Sequence, residues 1–303
     1  MRKEYFSFLS SDKKTMINAI KWSPDGPAKG VIQIVHGITE YIERYNVYAQ
    51  YMTSFGFIVV GHDQLGHGRS AIDGKKNYMG PLGSWKNAVE DVKTCHDLVM
   101  KQYPRLPLYI LGFSMGSFIV RQYLSDYNPR IYKVFLVGTG YQPSWLLNMV
   151  KKKVKKEVET YGEDKTSPKV KELSFGTYNK KINNPKTEFD WLSSADTAVN
   201  EYLQDPHIEK EITTSLFYEL LDGMSYTCSN KSIDKINKSI PIIIISGQDD
   251  PVGDMGKGVT KYYKILKKKG YKTALKLYPT MRHDIFHERY TKDFFDYMLK
   301  YMK

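Results

Sequence analysis

The 303-residue chain predicts an α/β protein built on a mostly parallel, eight-stranded sheet flanked by helices. Two observations carry that class, and a third shapes it. Short runs rich in Val, Ile, Tyr and Phe recur along the chain, several of them nearly unbroken apolar stretches, as strands buried on both faces require. Stretches with helical periodicity separate them, the alternation expected of parallel strands joined by crossover helices. A long strand-poor segment then interrupts the alternation.

Taken in order, "YFSFLS" (5–10) and "TMINAIKW" (15–22) read as a hairpin closed by "SDKK". "GVIQIV" (30–35), "FIVVGH" (57–62), "LYILG" (108–112), "YKVFLVG" (132–138), "PIIIIS" (241–246) and "TALKLY" (273–278) supply the other six strands. A helix is expected over residues 83–102, where Val89, Val92, Leu98 and Val99 are apolar. A second opens just after Ser114, a third runs through "KGVTKYYKILKKKG", and the last is "ERYTKDFFDYMLKYMK". Residues 140–239 are rich in Asn, Lys, Ser and Thr, with helical patterns such as "PSWLLNMVKKKVKKEV" and "SLFYELLDGMSY". They read as a helical insertion of 140–239 above a core made of 1–139 and 240–303.

Composition narrows the function classes. The 41% hydrophobic and 26% charged content is that of a globular chain. No apolar run approaches the roughly 20 residues that span a bilayer, and the start, "MRKEYFSFLSSDKK", does not read as a signal peptide. Cys95 and Cys228 lack CxxC spacing and read as reduced thiols of a cytoplasmic protein. The formal charge of +12 invites nucleic acid or an anionic surface. Yet residues 141–240 hold 15 Lys+Arg against 15 Asp+Glu, and no RNP motif, zinc finger or basic heptad is present. The surplus reads as solvated lysines, and no nucleic-acid partner is expected.

The chemistry begins at "LYILGFSMGSFIV" (108–120), where G-x-S-x-G follows a buried strand and opens a helix. A serine hydroxyl is a weak nucleophile that needs a base and a stabilised oxyanion. A sharp strand-to-helix turn exposes Ser114 at the carboxyl edge of the sheet, and the Met115 amide then lies at a helix N-terminus that favours negative charge. In this arrangement an acid and then a histidine must follow in sequence. "PIIIISGQDDPVG" offers Asp249 and Asp250, and "ALKLYPTMRHDIFHERY" offers His283 and His287. His283 is preferred because it falls in the loop after the last strand, whereas His287 reads as entering the final helix. The H-x-x-x-H spacing could suit a metal, but Asp284 stands where zinc proteases carry Glu, and no third ligand follows. No metal or cofactor is expected. "VIQIVHGITEYIERY" places Gly37 at a sharp turn, so the Ile38 amide can converge with that of Met115. His36 reads as shaping this loop, and "GHDQLGHGRS" (61–70) as scaffolding.

Five segments, "HGITEYIERY", "DQLGHGRS", "GFSMGS", "GQDDPVG" and "MRHDIFHE", together resemble the alpha/beta-hydrolase superfamily, within it the monoacylglycerol lipases and bacterial lysophospholipase-like hydrolases. They occur in the family's order and cover nearly the whole chain outside the insertion. The resemblance implies Ser114 as nucleophile, His283 as base and, through the G-x-x-D spacing from Gly247, Asp250 as acid. It also implies Ile38 and Met115 as backbone oxyanion donors and a cap formed by the insertion.

Substrate contacts do not carry over, because the insertion matches no member closely. "WLLNMV" (145–150), followed by "KKKVKK", is the apolar stretch that could hold an acyl chain near an anionic interface, which singles out Trp145, Leu146 and Met149. The expected partner is a small-molecule or lipid ester, with transient membrane-surface contact as a further expectation; the sequence sets no oligomeric state. Monoacylglycerol or lysophospholipid esters lead. A small-molecule carboxylesterase, an aminopeptidase of the same fold and a non-catalytic receptor are the other readings.

Overall fold

A computed structural model describes residues 1–302. Eight strands form one sheet: β1 (Arg2–Leu9), β2 (Met16–Ser23), β3 (Gly30–Val35), β4 (Phe57–His62), β5 (Leu108–Phe113), β6 (Lys133–Val137), β7 (Ile242–Gly247) and β8 (Thr273–Tyr278). Their spatial order is β1-β2-β4-β3-β5-β6-β7-β8. β1 pairs antiparallel with β2 and β2 with β4, and every other pairing is parallel. This is the eight-stranded, mostly parallel sheet the sequence predicts.

The unbroken apolar runs have a simple cause. Every residue of β3, β4, β5 and β7 is buried, so both faces of these strands need apolar side chains. The two-residue period then divides them. Val31, Val35, Ile110, Leu136 and Ile244 join one core cluster; Ile32, Ile34, Leu111, Val137 and Ile245 join the other. The first cluster is covered by α2 (Trp85–Gln102), α3 (Met115–Tyr127) and α9 (Lys257–Lys268), and the second by α1 (Asn46–Ser54) and α10 (Thr291–Lys300).

Two elements differ from expectation. α1 was not anticipated: it is nine residues long, and exposed Val47 interrupts the apolar signal of buried Tyr48, Ala49 and Met52. The final helix begins at Thr291 rather than at 288, because a 3-10 turn, Ile285–His287, comes first. His287 therefore precedes that helix.

Between β6 and β7 lie α4 (Ser144–Tyr161), α5 (Pro168–Ser174), α6 (Asp196–Gln204), α7 (Thr214–Thr227) and α8 (Asn230–Lys235). Their packing is not uniform. Leu216, Phe217 and Leu221 of α7 and Ile233 of α8 belong to the large core cluster. The Glu219 carboxylate accepts the Gly83 and Trp85 amides at the start of α2, at 2.8 and 2.5 Å, satisfying donors that a helix start leaves orphaned. A Cβ at Gly223 would lie 2.1 Å from the Trp85 ring, so only glycine admits this contact. By contrast, Ile182, Phe189, Trp191, Leu192, Val199, Tyr202 and Ile208 form a separate small cluster. It contacts the loops at the carboxyl ends of the strands.

Candidate active site

Ser114 lies between the end of β5 and the start of α3 with φ 49° and ψ −121°, a backbone conformation that a side chain rarely adopts. The flanking glycines solve a different problem. A Cβ at Gly116 would meet the Val35 carbonyl oxygen at 2.0 Å, and one at Gly112 the Gly116 carbonyl oxygen at 2.6 Å. The glycines give room for strand and helix to approach, while the serine itself takes the strain. The turn is held by the Ser114 amide donating to Val137 O at 2.9 Å, and by the Ser117 hydroxyl donating to Ser114 O at 2.6 Å.

His283 lies in the loop after β8, with Nε2 2.8 Å from Ser114 Oγ. Its Nδ1 is 3.0 Å from Asp250 Oδ2, in the loop after β7. Asp250 is wholly buried, and its Oδ1 accepts the Val252 amide at 2.8 Å. Ser246 Oγ donates to its Oδ2 at 3.2 Å. Burial disfavours the imidazolium of His283, but the Asp250 charge, the bond to it, and the nearby Asp284 and Glu40 outweigh that penalty. The pKa is held above its ordinary value. Phe113 and Trp191 flank the ring, at centroid distances of 5.0 and 5.4 Å.

The loop after β3 approaches the serine closely: a Cβ at Gly37 would lie 3.1 Å from Ser114 Cβ. Glu40 Oε1 accepts the Gly37 amide at 2.6 Å and the Tyr45 hydroxyl at 2.8 Å. His36 Nε2 accepts the Gln64 amide at 2.8 Å, which leaves the proton on Nδ1, 2.7 Å from Gly37 O. Thr39 has φ 66°, and its hydroxyl oxygen is 2.8 Å from the Tyr202 hydroxyl of α6.

Ile38, Glu40, Arg44, Phe113, Ser114, Trp191, Leu192, Tyr202, His283 and Asp284 line one cleft of about 20 Å³. That is room for about one water molecule. The Arg44 guanidinium pairs with Glu40 Oε2 at 3.5 Å and Asp284 Oδ2 at 3.1 Å, and lies over the Tyr202 ring at 5.4 Å.

The structure thus brings Ser114, Asp250, His283 and Ile38 together, with Met115 next along α3. Of the paired candidates, Asp249 instead donates its amide to Met281 O at 3.0 Å, and His287 Nδ1 faces Asp284 at 2.9 Å. Trp145, Leu146 and Met149 do not join the cleft. The helical period of α4 turns Leu147, Val154 and Val158 inward, leaving Trp145 66% and Met149 53% exposed. Trp191, Tyr202, Glu40, Arg44 and Asp284 were missed as site residues. Only the i, i+4 spacing of Glu40 and Arg44 could have hinted at their ion pair.

The fold and this buried Ser–His–Asp geometry define an α/β-hydrolase of the serine hydrolase class. The chain belongs to the hydrolase family described as "Serine aminopeptidase, S33", which it matches over residues 26–290. Among curated relatives, the monoacylglycerol lipase of Mycolicibacterium smegmatis is 35% identical over 117 residues, 39% of this chain and 40% of that protein. Human monoglyceride lipase is 35% identical over 98 residues, 32% of this chain and 31% of that protein. These matches span well under half the length of the relatives. A highly thermostable carboxyl esterase from Bacillus coagulans, solved in complex with glycerol, aligns over 100% of both chains with a TM-score of 0.91 and 28% identity.

Proposed function

We propose that the protein is a serine hydrolase that cleaves carboxylic esters through an acyl-enzyme, with monoacylglycerol or lysophospholipid acyl esters as substrates. The observation that carries this reading is the chain of contacts from Ser114 Oγ to His283 Nε2 at 2.8 Å and from His283 Nδ1 to Asp250 at 3.0 Å.

In this mechanism His283 takes the Ser114 proton as Oγ attacks the ester carbonyl carbon. The buried Asp250 carboxylate holds the ring in the Nδ1–H tautomer and stabilises the imidazolium. The amides of Ile38 and Met115 receive the negative oxygen; losing one such donor typically costs on the order of 10²–10³ in rate. Collapse expels the alcohol, protonated by His283, and leaves the acyl group on Ser114. A water activated by the same imidazole then releases the acid. The monoacylglycerol and monoglyceride lipase relatives support the lipid-ester reading.

A second reading is a carboxylesterase of small esters. It is favoured by the narrow cleft of about 20 Å³ and by the full-length likeness to the Bacillus coagulans esterase. Fluorophosphonate labelling and p-nitrophenyl ester hydrolysis, each compared with Ser114→Ala, test the catalytic reading. Turnover that survives the substitution would overturn it. An acyl-chain series then separates the substrates: a rise towards long chains supports the lipid ester, a maximum at acetyl or butyryl the small one.

A further inference from the structure

Beyond the residues that touch a reacting atom, the loop after β3 carries several buried polar groups, His36, Thr39 and Glu40, and the contacts of His36 and Glu40 converge on two successive peptide units at Gly37. All peptide bonds in the described residues are trans, so the carbonyl of Gly37 and the N–H of Ile38 point in opposite directions. The Gly37 carbonyl is turned inward, onto His36 Nδ1 at 2.7 Å. The N–H of Ile38 must therefore face the other way, towards the cleft it shares with Ser114.

His36 can hold that carbonyl only as the neutral Nδ1–H tautomer, and its surroundings enforce this form. The Gln64 amide occupies Nε2. Burial, with His67 and His62 close by, pushes the imidazole well below its ordinary pKa. The preceding peptide is fixed separately: Glu40 Oε1 accepts the Gly37 N–H at 2.6 Å. Glu40 is in turn braced by the Tyr45 hydroxyl and by Arg44, whose other partner is Asp284, the residue following His283. Two successive peptides are thus pinned from behind, and the brace reaches the loop that carries the base.

We propose that His36 and Glu40 are positioning residues that aim the Ile38 amide at the oxyanion, with Arg44 tying that aim to the His283 loop through Asp284. The inference rests on the reading of Ile38 as an oxyanion donor. Neither His36 nor Glu40 moves a proton in the reaction; each acts through the orientation of one peptide plane. Because the hydrogen bonds to the substrate carbonyl strengthen as its oxygen becomes negative, a misaimed amide should lower kcat far more than it raises KM.

The test compares wild type with His36→Phe, Glu40→Leu and Glu40→Gln on one p-nitrophenyl ester and on its thionoester, whose sulfur is a poor acceptor in an oxyanion site. His36→Phe and Glu40→Leu are expected to lose kcat on the order of 10²-fold with little change in KM, and to discriminate much less between ester and thionoester. Glu40→Gln keeps an acceptor for the Gly37 N–H and is expected to recover most of the loss. The ratio of ester to thionoester is read from whatever activity remains, so partial destabilisation does not mask it. Wild-type kcat in the folded variants, or lost kcat with an unchanged ester-to-thionoester ratio, would overturn the inference. Wild type lacking any Ser114-dependent hydrolysis would instead overturn the catalytic reading on which it stands.

Discussion

Trp191 lies against His283, with ring centroids 5.4 Å apart at 39°, and its carbonyl accepts the His283 amide at 3.4 Å. A residue of the β6–β7 segment thus sits on the imidazole that faces Ser114. Trp191 also stacks on Phe175 at 5.5 Å. The indole thereby forms part of the wall of the small cleft at Ser114.

Trp191→Ala should therefore enlarge the cleft and shift preference towards longer acyl chains. The ratio of kcat/KM for butyryl over acetyl esters is expected to rise by about tenfold, in line with the discrimination that one or two methylenes provide. An unchanged ratio would show that the indole does not bound the acyl site.

The acid limb of kcat/KM should lie above about pH 6.5, the ordinary value for histidine, because His283 must be neutral to act as base and its surroundings raise its pKa. The sign for stability is the opposite. A raised value in the folded state stabilises the protein fully below the unfolded pKa, and that contribution is lost as pH rises through the folded one. Asp284→Asn removes one of the charges that raise it, so the acid limb should move to lower pH. A pH–rate profile of both proteins checks this.

The buried histidines His62 and His67 behave in reverse. Burial lowers His62 to about 3 and His67 to about 4, so these rings are neutral when folded and charge on unfolding. Their contribution is complete above the unfolded value near 6.5 and is lost as pH falls towards 4, by about 1.4 kcal/mol per pH unit for each histidine. Both ring nitrogens of His62 lack a partner, and the ring meets Phe8 edge-on at 5.6 Å. His62→Phe should therefore reduce the slope of unfolding free energy against pH by about one proton between pH 6 and 4.5. Urea titrations across that range measure it.

The strain at Ser114 is separable from its chemistry. Ser114→Gly and Ser114→Ala both remove the hydroxyl, but only glycine relieves φ 49°. The glycine variant should be the more stable by about 1 kcal/mol. Gly116→Ala should be destabilising by more than about 3 kcal/mol, because its Cβ would meet Val35 O at 2.0 Å. Thermal melts of the three variants distinguish these outcomes.

How much was legible varied with the range of the interaction. The strands were readable because burial on both faces forces apolar runs, as in "PIIIIS". Ser114 was readable because the close approach of β5, α3 and the Val35–His36 backbone demands glycine at 112 and 116, a local signature of a long-range contact. α1 was not, because a nine-residue helix with Val47 exposed lacks a clean apolar stripe. The patch at Trp145, Leu146 and Met149 illustrates a related limit: apolar character does not say which way a side chain faces, and α4 buries Leu147, Val154 and Val158 while these three lie outside the cleft.

The sequence by itself determined the sheet, the turn at Ser114 and the order serine, acid, histidine, since each is written in periodicity or in residue types that local backbone geometry requires. Only the tertiary structure decided how small the cleft is, which aromatic ring covers His283, and how Glu40, Arg44 and Asp284 join two loops 240 residues apart. The physical reason is that ion pairs and ring contacts depend on distances through space. A carboxylate beside a guanidinium leaves no mark on the residues next to either in the chain.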